Sequence, residues 1–194
     1  MKVIREIEIT PTSVVLDGRA IEVQTTGDKM LVELYRRYAG DYPKFFKMDT
    51  LCRLGFVAAE ILLNAPYGEA NRSTVGRLEM VNDKMVNGVG AVILANRSAS
   101  IKNDTDYLAT ISEGNYYPSP ALFVYTLPNI VTGELAIRHR IQGETSFYVL
   151  NQPEDLEPIV RSTLNAQHST VLAGWCECSE PNRFYAKIQI IWNN

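Results

Sequence analysis

The chain has 194 residues, of which 46% are hydrophobic and 21% are charged, a composition typical of one globular domain with a sizeable core. Its net charge of −3 argues against general nucleic-acid binding, because that function usually needs a basic surface. No apolar run approaches the roughly 20 residues that span a bilayer, and the charged N-terminus does not resemble a signal peptide. We therefore expect a cytoplasmic protein with no membrane span and no nucleic-acid partner.

The three cysteines predict neither a disulfide framework nor a metal site. Cys176 and Cys178 form a C-x-C pair in a predicted strand, and Cys52 lies far from them in sequence. An odd and sparse set of cysteines is untypical of secreted proteins, and a zinc site would need further ligands near the pair. The chain also has no P-loop and no dinucleotide fingerprint. We expect reduced thiols and assign no cofactor.

The first 44 residues predict a hairpin followed by a helix. Residues 3–9 alternate as a strand, and the Asp-Gly pair at 17–18 is a strong hairpin signal between two short apolar runs. From residue 30 to residue 38 the apolar side chains keep a helical spacing.

The middle of the chain predicts a helix and a strand that are both fully buried. Residues 48–63 are apolar on nearly every side of a helix, which is typical of a helix without a solvent face. Residues 64–77 carry Pro, Gly, Asn and Ser and predict a loop. Residues 88–96 form a continuous apolar run, which is typical of a central strand covered on both faces.

Beyond residue 97 the pattern predicts a short helix near 104–111 and then helix, strand, helix and two strands. These five elements cover, in order, residues 128–141, 145–150, 153–166, 169–178 and 183–192. Pro128 and Pro153 suit the first turn of a helix, where a proline loses no hydrogen bond. The order βαβαβαββ predicts an α/β fold with a five-stranded, mainly parallel sheet and helices on both faces.

Several segments resemble the N-terminal half of a β-ketoacyl synthase of the thiolase-like fold. "FKMDTLCRLGFVAAEILL" is similar to the family's Met-Asp helix, and "VGAVILANRSAS" is similar to its second strand and the turn that follows. The fullest match is a Ser-Pro stretch, then Thr-x-x-Asn-x-x-x-Gly, then a helix and a short strand after another Gly. Its residues here are Ser119, Pro120, Thr126, Asn129, Gly133 and Gly143.

The likeness covers residues 45–192. It implies a single synthase N-terminal-like domain over residues 1–194, in which residues 1–44 are a divergent hairpin and helix. The segment "STVLAGWCE" resembles the strand that ends this half, with Trp175 where a second glycine is usual. The chain looks most like short synthase-like proteins of type II polyketide, aryl-polyene or flexirubin-type pathways.

The family places its nucleophilic cysteine at a strand-to-helix corner, nine residues after the glycine that matches Gly143. That count arrives at Gln152, beside Asn151. Condensation needs a thiolate that takes up the acyl chain, and an amide cannot form that thioester. The resemblance therefore implies no catalytic residue, and Asn151 and Gln152 are the nucleophile-equivalent corner.

The family's two catalytic histidines come from a C-terminal half that has no counterpart in these residues. His139 and His168 are expected to be surface or structural residues. Two relatives in the family have a glutamine at the nucleophile position, and the chain resembles both in this respect. One is the chain-length-factor subunit, which pairs with a catalytic synthase. The other is the decarboxylating synthase domain, which keeps its histidines and therefore fits less well. Because a polar residue at a helix N-terminus can also simply cap N–H groups, the role of Gln152 stays open.

The helix after the corner indicates whether a second half of the fold covers it. In the complete two-half fold this helix lies between two sheets, so it should be apolar all round. Here one side carries charged or amide side chains, namely Glu154, Asp155, Glu157, Arg161 and Asn165. We expect one face of this helix to meet solvent, as if the half-length form were native to the sequence.

The strand after Gly143 is the candidate pairing edge. In the family it lies at the sheet edge and pairs with its counterpart in a partner subunit. Its residues are Thr145, Ser146, Phe147, Tyr148 and Val149, an apolar run without proline that would be a sticky edge unless covered. The resemblance implies a homodimer or a heterodimer with a full-length synthase.

Arg138 and Arg140 could attract an acidic acyl carrier protein, although a solvated helix face explains such residues more often. Three functional hypotheses follow from the resemblance. The first is a non-catalytic, half-length synthase-like subunit that acts as partner or scaffold in fatty-acid or polyketide biosynthesis. The second is half of a split 3-oxoacyl-carrier-protein synthase, an acyltransferase completed by another chain. The third is an acyl-chain or small-molecule binding protein.

Overall fold

The structure is a computed structural model that describes residues 1–65, 88–114, 118–166, 168–180 and 182–193. The predicted loop at 64–77 lies almost wholly outside the described residues. The strands are β1 (Lys2–Ile9), β2 (Val14–Leu16), β3 (Arg19–Ala20), β4 (Ala91–Asn96), β5 (Thr145–Val149), β6 (Thr170–Glu180) and β7 (Arg183–Trp192). The helices are α1 (Gly27–Tyr38), α2 (Thr50–Asn64), α3 (Ile101–Leu108), α4 (Pro120–Val124), α5 (Ile130–His139) and α6 (Glu157–Ala166). Short 3₁₀ turns at Pro43–Lys47 and Pro153–Leu156 precede α2 and α6.

The strands form one sheet in the order β3-β2-β1-β7-β6-β4-β5. β4 pairs in parallel with β5 and with β6, and the other four pairings are antiparallel. The expected α/β class is confirmed. The sheet has seven strands where five mainly parallel strands were expected, because β1 pairs with β7 from the other end of the chain and brings β2 and β3 with it. A pairing between the two ends of a sequence has no local signature in its residues.

The two faces of the sheet are covered unequally. On one face α2 packs against β1, β6 and β7, α5 packs against β4 and β5, and α1 lies on α2. On the other face α6 and its 3₁₀ turn pack mainly on β4 and β6 and reach β7 at Ile191 and Tyr185. Helices therefore lie on both faces, as expected, but the rest of β7, and β1, have no helix over their second face in the described part of the chain.

The buried helix and the buried strand predicted from the sequence are confirmed. All six residues of β4 are buried, and α2 is buried over most of its length. The Asp49 side chain accepts a hydrogen bond from the Cys52 backbone N–H at 2.9 Å and so caps α2. No described helix has the combination of length and apolar character that crossing a membrane requires.

The N-terminal hairpin is tied to the C-terminal end of α2 by one buried arginine. Asp17 and Gly18 have positive φ angles of 50° and 77°, as a tight hairpin turn requires. Arg5 is 2% exposed and donates to the carbonyl oxygens of Leu62 and Ala65, each at 2.7 Å. Its Nε also donates to the Asp17 carboxylate at 3.0 Å. Arg5 therefore joins the divergent hairpin firmly to the rest of the fold.

Two glycines and a histidine pack closely at the amino ends of the parallel strands. Gly90 precedes β4, Gly143 precedes β5 and His168 precedes β6. A Cβ atom at Gly143 would lie 2.1 Å from the Gly90 carbonyl oxygen and 2.4 Å from His168 Cε1. Gly143 is therefore required by close packing, and His168 has the structural role that the sequence led us to expect.

Gly133 and Gly143 both belong to the family-like motif, but their surroundings predict opposite responses to alanine. A Cβ at Gly133, inside α5, would meet no atom within 4 Å. Gly133→Ala should therefore raise the free energy of unfolding by about 0.5–1 kcal/mol through its helix propensity. Gly143→Ala should lower it by about 1–3 kcal/mol, because the backbone must move. Urea denaturation of both variants measures this, and equal effects would contradict the packing described.

Candidate functional site

The nucleophile-equivalent corner lies where the three parallel strands end. β4, β5 and β6 run in the same direction, and the backbone N–H of Leu150 donates to the carbonyl oxygen of Asn96 at 2.8 Å. Asn151 and Gln152 follow at once, and Pro153 opens the 3₁₀ turn that leads into α6. Ligands of α/β folds usually bind at this end of a parallel sheet. The corner is thus placed as an active site would be.

Gln152 is exposed at this corner and does not cap the helix. Its Nε2 donates to the Asp155 carboxylate at 3.2 Å, and its side chain accepts no hydrogen bond from a helix N–H. The backbone N–H of Asp155 instead bonds the main-chain oxygen of Gln152 at 3.2 Å. The simple capping role that the sequence left open is therefore wrong. Neither Gln152 nor the exposed Asn151 can act as a nucleophile.

The thiols do not replace the missing nucleophile. All three cysteines are buried and unpaired. Burial raises the pKa of Cys52 and Cys176 well above the usual range and raises that of Cys178 to about 12. A thiol that stays protonated is a poor nucleophile and a poor metal ligand. Among the described residues no group of three His, Cys, Asp or Glu side chains is placed to hold a metal ion.

The two histidines lie at the opposite end of the sheet from the corner. His168 is at the amino ends of the parallel strands, and His139 is in the last turn of α5, where its Nε2 lies 2.6 Å from Glu60 Oε1. A strand of five residues such as β5 is roughly 16 Å long, so neither imidazole reaches Gln152. The corner therefore has neither the nucleophile nor the histidines of a condensing enzyme.

Arg138 belongs to an ion-pair cluster around the buried Glu60, whereas Arg140 is exposed. Glu60 is 1% exposed inside α2, and its carboxylate contacts Arg138 Nε at 3.3 Å and Asn64 Nδ2 at 3.0 Å. The guanidinium of Arg138 also contacts Asp41. Arg140 has a left-handed backbone, with φ of 55°, and makes no ion pair with the described residues. Of the two arginines predicted to attract a carrier protein, only Arg140 is available on the surface.

β5 is the last strand of the sheet, as expected for a pairing edge. The Val92 N–H donates to the Glu144 oxygen and the Leu150 N–H donates to the Asn96 oxygen. Parallel pairing then directs the backbone groups of every second residue toward β4. The N–H and C=O groups of Thr145, Phe147 and Val149 consequently point away from the sheet. In the described part of the chain no strand pairs with them.

Side chains hold β5 in position from both faces. Glu144 accepts hydrogen bonds from Ser146 at 2.8 Å, from the Tyr148 hydroxyl at 3.3 Å and from Thr163 of α6 at 2.9 Å. Phe147 packs on the opposite face against the main core. The edge strand is therefore held by contacts on both faces, and its last residue, Val149, is 57% exposed.

A groove of about 550 Å³ lies between α6 and the uncovered strands β7 and β1. It is lined by Met1, Val3, Pro153, Glu154, Leu156, Glu157, Val160, Ala173, Gly174, Trp175, Tyr185, Lys187, Gln189 and Ile191. The groove could not be predicted from the sequence, because β1 on its far side reaches the site only through its pairing with β7. The one local signal was Trp175, where the resembled family has a glycine.

Comparison with known proteins identifies the fold. No protein-family model matches the chain, and no curated protein matches it either. The whole chain is similar to 79% of a chain in the ketosynthase (ApeO) in complex with its chain length factor (ApeC) from Xenorhabdus doucetiae, with a TM-score of 0.62 and 11% identity. Over 98% of its length it is similar to 61% of a chain of the ishigamide ketosynthase/chain length factor, with a TM-score of 0.63 and 15% identity. The thiolase-like, ketosynthase-like fold expected from the sequence is confirmed.

The matched variants Arg138→Gln and Arg140→Gln should separate the structural arginine from the surface one. Arg138→Gln removes the guanidinium beside a carboxylate that is 1% exposed, so it should cost about 3 kcal/mol of unfolding free energy. Arg140→Gln should change it by no more than about 0.5 kcal/mol. Chemical denaturation at neutral pH measures both values. Similar values for the two variants would show that Glu60 does not need Arg138.

Proposed function

We propose that this chain is a non-catalytic, ketosynthase-like subunit that pairs with a catalytic synthase through the open edge of β5. The observation that carries the proposal is the corner itself. A ketosynthase-like fold positions a strand-to-helix turn as if for catalysis, yet the turn presents the exposed amides Asn151 and Gln152. We place this subunit in the cytoplasm, in polyketide or fatty-acid biosynthesis of the aryl-polyene or flexirubin type.

The chemistry of the corner supports a role without acyl transfer. An acyl-enzyme intermediate needs a thiolate or an activated hydroxyl. Gln152 engages Asp155 instead, and the buried thiols stay protonated. The similar solved structures are complexes of a ketosynthase with a chain length factor, which supports a partner subunit.

The geometry of β5 supports strand pairing as the mode of association. Three consecutive outward-facing positions, Thr145, Phe147 and Val149, present N–H and C=O groups that a partner strand can bond. The strand is held by Glu144 and by the core, so binding costs little additional conformational entropy. An acidic acyl carrier protein is a further proposed partner, for which only Arg140 of the two candidate arginines is exposed.

The alternative of a split enzyme needs a second half over the uncovered face of β7 and β1. That face carries charges that are paired across strands: Glu6 lies 3.4 Å from Lys187 Nζ and also accepts from Gln189. Such a ladder is typical of a face that meets water. This observation favours the partner-subunit proposal over the split enzyme.

Val149→Pro should abolish pairing with a synthase, because proline removes an outward N–H and leaves the hydrogen bonds to β4 intact. Val149→Thr keeps the N–H and the β-branched shape and serves as the matched control. Each variant is co-expressed with the tagged full-length ketosynthases of the same genome, and the complex is measured by co-purification and gel filtration. Retention by Val149→Pro, or the absence of any complex with the unmutated chain, would contradict the proposal.

Incubation of the purified chain with an acyl-CoA should add no acyl mass to it. Gln152 cannot form a thioester, and the three thiols are buried in their protonated form. Intact-mass spectrometry measures the adduct, with a catalytic full-length ketosynthase treated in parallel as the positive control. A stoichiometric acyl adduct on this chain would overturn the non-catalytic role.

A further inference from the structure

The groove beside α6 is apolar where it is deepest. α6 and its 3₁₀ turn supply Leu156 and Val160, and the sheet supplies Trp175 and Ile191 as the floor. On the far side β1 contributes Val3, which is 46% exposed. An exposed apolar side chain beside further apolar surface is typical of a binding site.

The helix wall of the groove carries two carboxylates, of which one is in an ion pair. Lys187 on the floor lies 3.4 Å from Glu6, and Glu157 on the helix wall lies 2.7 Å from Arg161. Glu154, on the same wall, is exposed and makes no ion pair with the described residues. An occupant that places a cation at this wall would be favoured, whereas one with an anion there would be repelled.

The dimensions of the groove fit one helix. The floor spans β6, β7 and β1, which are neighbours in the sheet. Strands lie about 4.8 Å apart, so the floor is about 10 Å wide, and a helix with its side chains is about 10–12 Å across. α6 already packs on the same face next to this strip. A second helix laid alongside α6 would cover the apolar strip, while Lys187 and Gln189 keep their partner Glu6, which lies outside the groove lining.

We propose that this groove binds an amphipathic helix of a partner protein, with its apolar face on Trp175, Ile191 and Val3 and a Lys or Arg side chain toward Glu154. The groove is separated from β5 by β4, so a helix here and a strand at the sheet edge bind at the same time. This surface does not depend on the pairing through β5.

A second copy of this chain is a poor occupant. Two copies related by a two-fold axis through the groove would bring Glu154 and Glu157 of one copy toward the same residues of the other. The helix that such a contact would present is α6, whose 3₁₀ entry and first turn are acidic. Like charges at close range disfavour that arrangement.

Trp175 allows binding to be measured directly on the chain alone. The protein has two tryptophans, so Trp192→Phe leaves Trp175, on the groove floor, as the only one. The probe is a synthetic helix of about 14 residues, roughly four turns, with Leu on one face and Lys on the other. The same peptide with Glu in place of every Lys is its counterpart. We expect the Lys peptide to change Trp175 emission saturably and the Glu peptide to leave it unchanged.

Substitutions in the groove should weaken this binding selectively. Val3→Glu places a charge in the apolar wall and should lower the affinity for the Lys peptide by at least about tenfold. Glu154→Lys should weaken it by about fivefold to tenfold. Glu22→Lys makes the same change in net charge at an exposed residue outside the groove and should change the affinity by less than about twofold. All three positions are exposed, and circular dichroism verifies that each variant is folded.

Four results would overturn the proposal. The first is the absence of a saturable signal with the Lys peptide, and the second is binding of the Glu peptide as tight as that of the Lys peptide. The third is a loss of affinity in Glu22→Lys equal to that in Glu154→Lys. The fourth is a dimer, seen in sedimentation, that Val3→Glu dissociates. The last result would assign the groove to a second copy of the chain. Because the peptide is titrated against the chain alone, none of these outcomes tests the pairing through β5. Conversely, failure of Val149→Pro to disrupt a complex would not contradict helix binding in the groove.

Discussion

The parallel pairing of β4 with both of its neighbours determines where the corner and the open edge of β5 lie. All six β4 residues are buried, so the strand is fixed from both faces as well as from both edges. At its amino end Gly90 and Gly143 approach so closely that no side chain fits between them. At its carboxyl end Asn96 receives the N–H of Leu150 and sets the position of the corner. The corner therefore keeps its geometry because the sheet requires it, whatever residue it presents.

Unequal coverage of the sheet is the second constraint. One face is covered along its length, while α6 covers only part of the other, which leaves an open groove beside α6. Trp175 lies beneath α6 at the floor of this groove and is 8% exposed. A glycine at this position would leave a hole beside Leu156 and Val160. The departure from the resembled family at this residue is therefore part of how this chain completes its smaller core.

The parts of the fold that local patterns encode could be predicted from the sequence. The continuous apolar runs of α2 and β4, and the Asp-Gly turn at 17–18, predicted elements that the structure contains. The pairing of β1 with β7 could not be predicted, because it joins the two ends of the chain and no local sequence pattern specifies which distant strands pair. The groove depends on that pairing and was missed with it. Glu60 carried an unused signal, since a buried carboxylate in a largely apolar helix needs cationic or hydrogen-bonding partners, which here include Arg138 and His139.

Exposed residues at the strand edge and in the groove bear on the proposed function together with the corner. Asn151 and Gln152 are exposed and contribute a single side-chain hydrogen bond, to Asp155, so the fold depends little on their identity. Val149 and Val3 are also exposed, at 57% and 46%, but an exposed valine gives the isolated chain almost no stability and lowers its solubility. Each lies where a backbone edge or an apolar groove is open to a partner. We therefore propose that a partner covers each of these surfaces, and because β4 separates them, both can be covered at once.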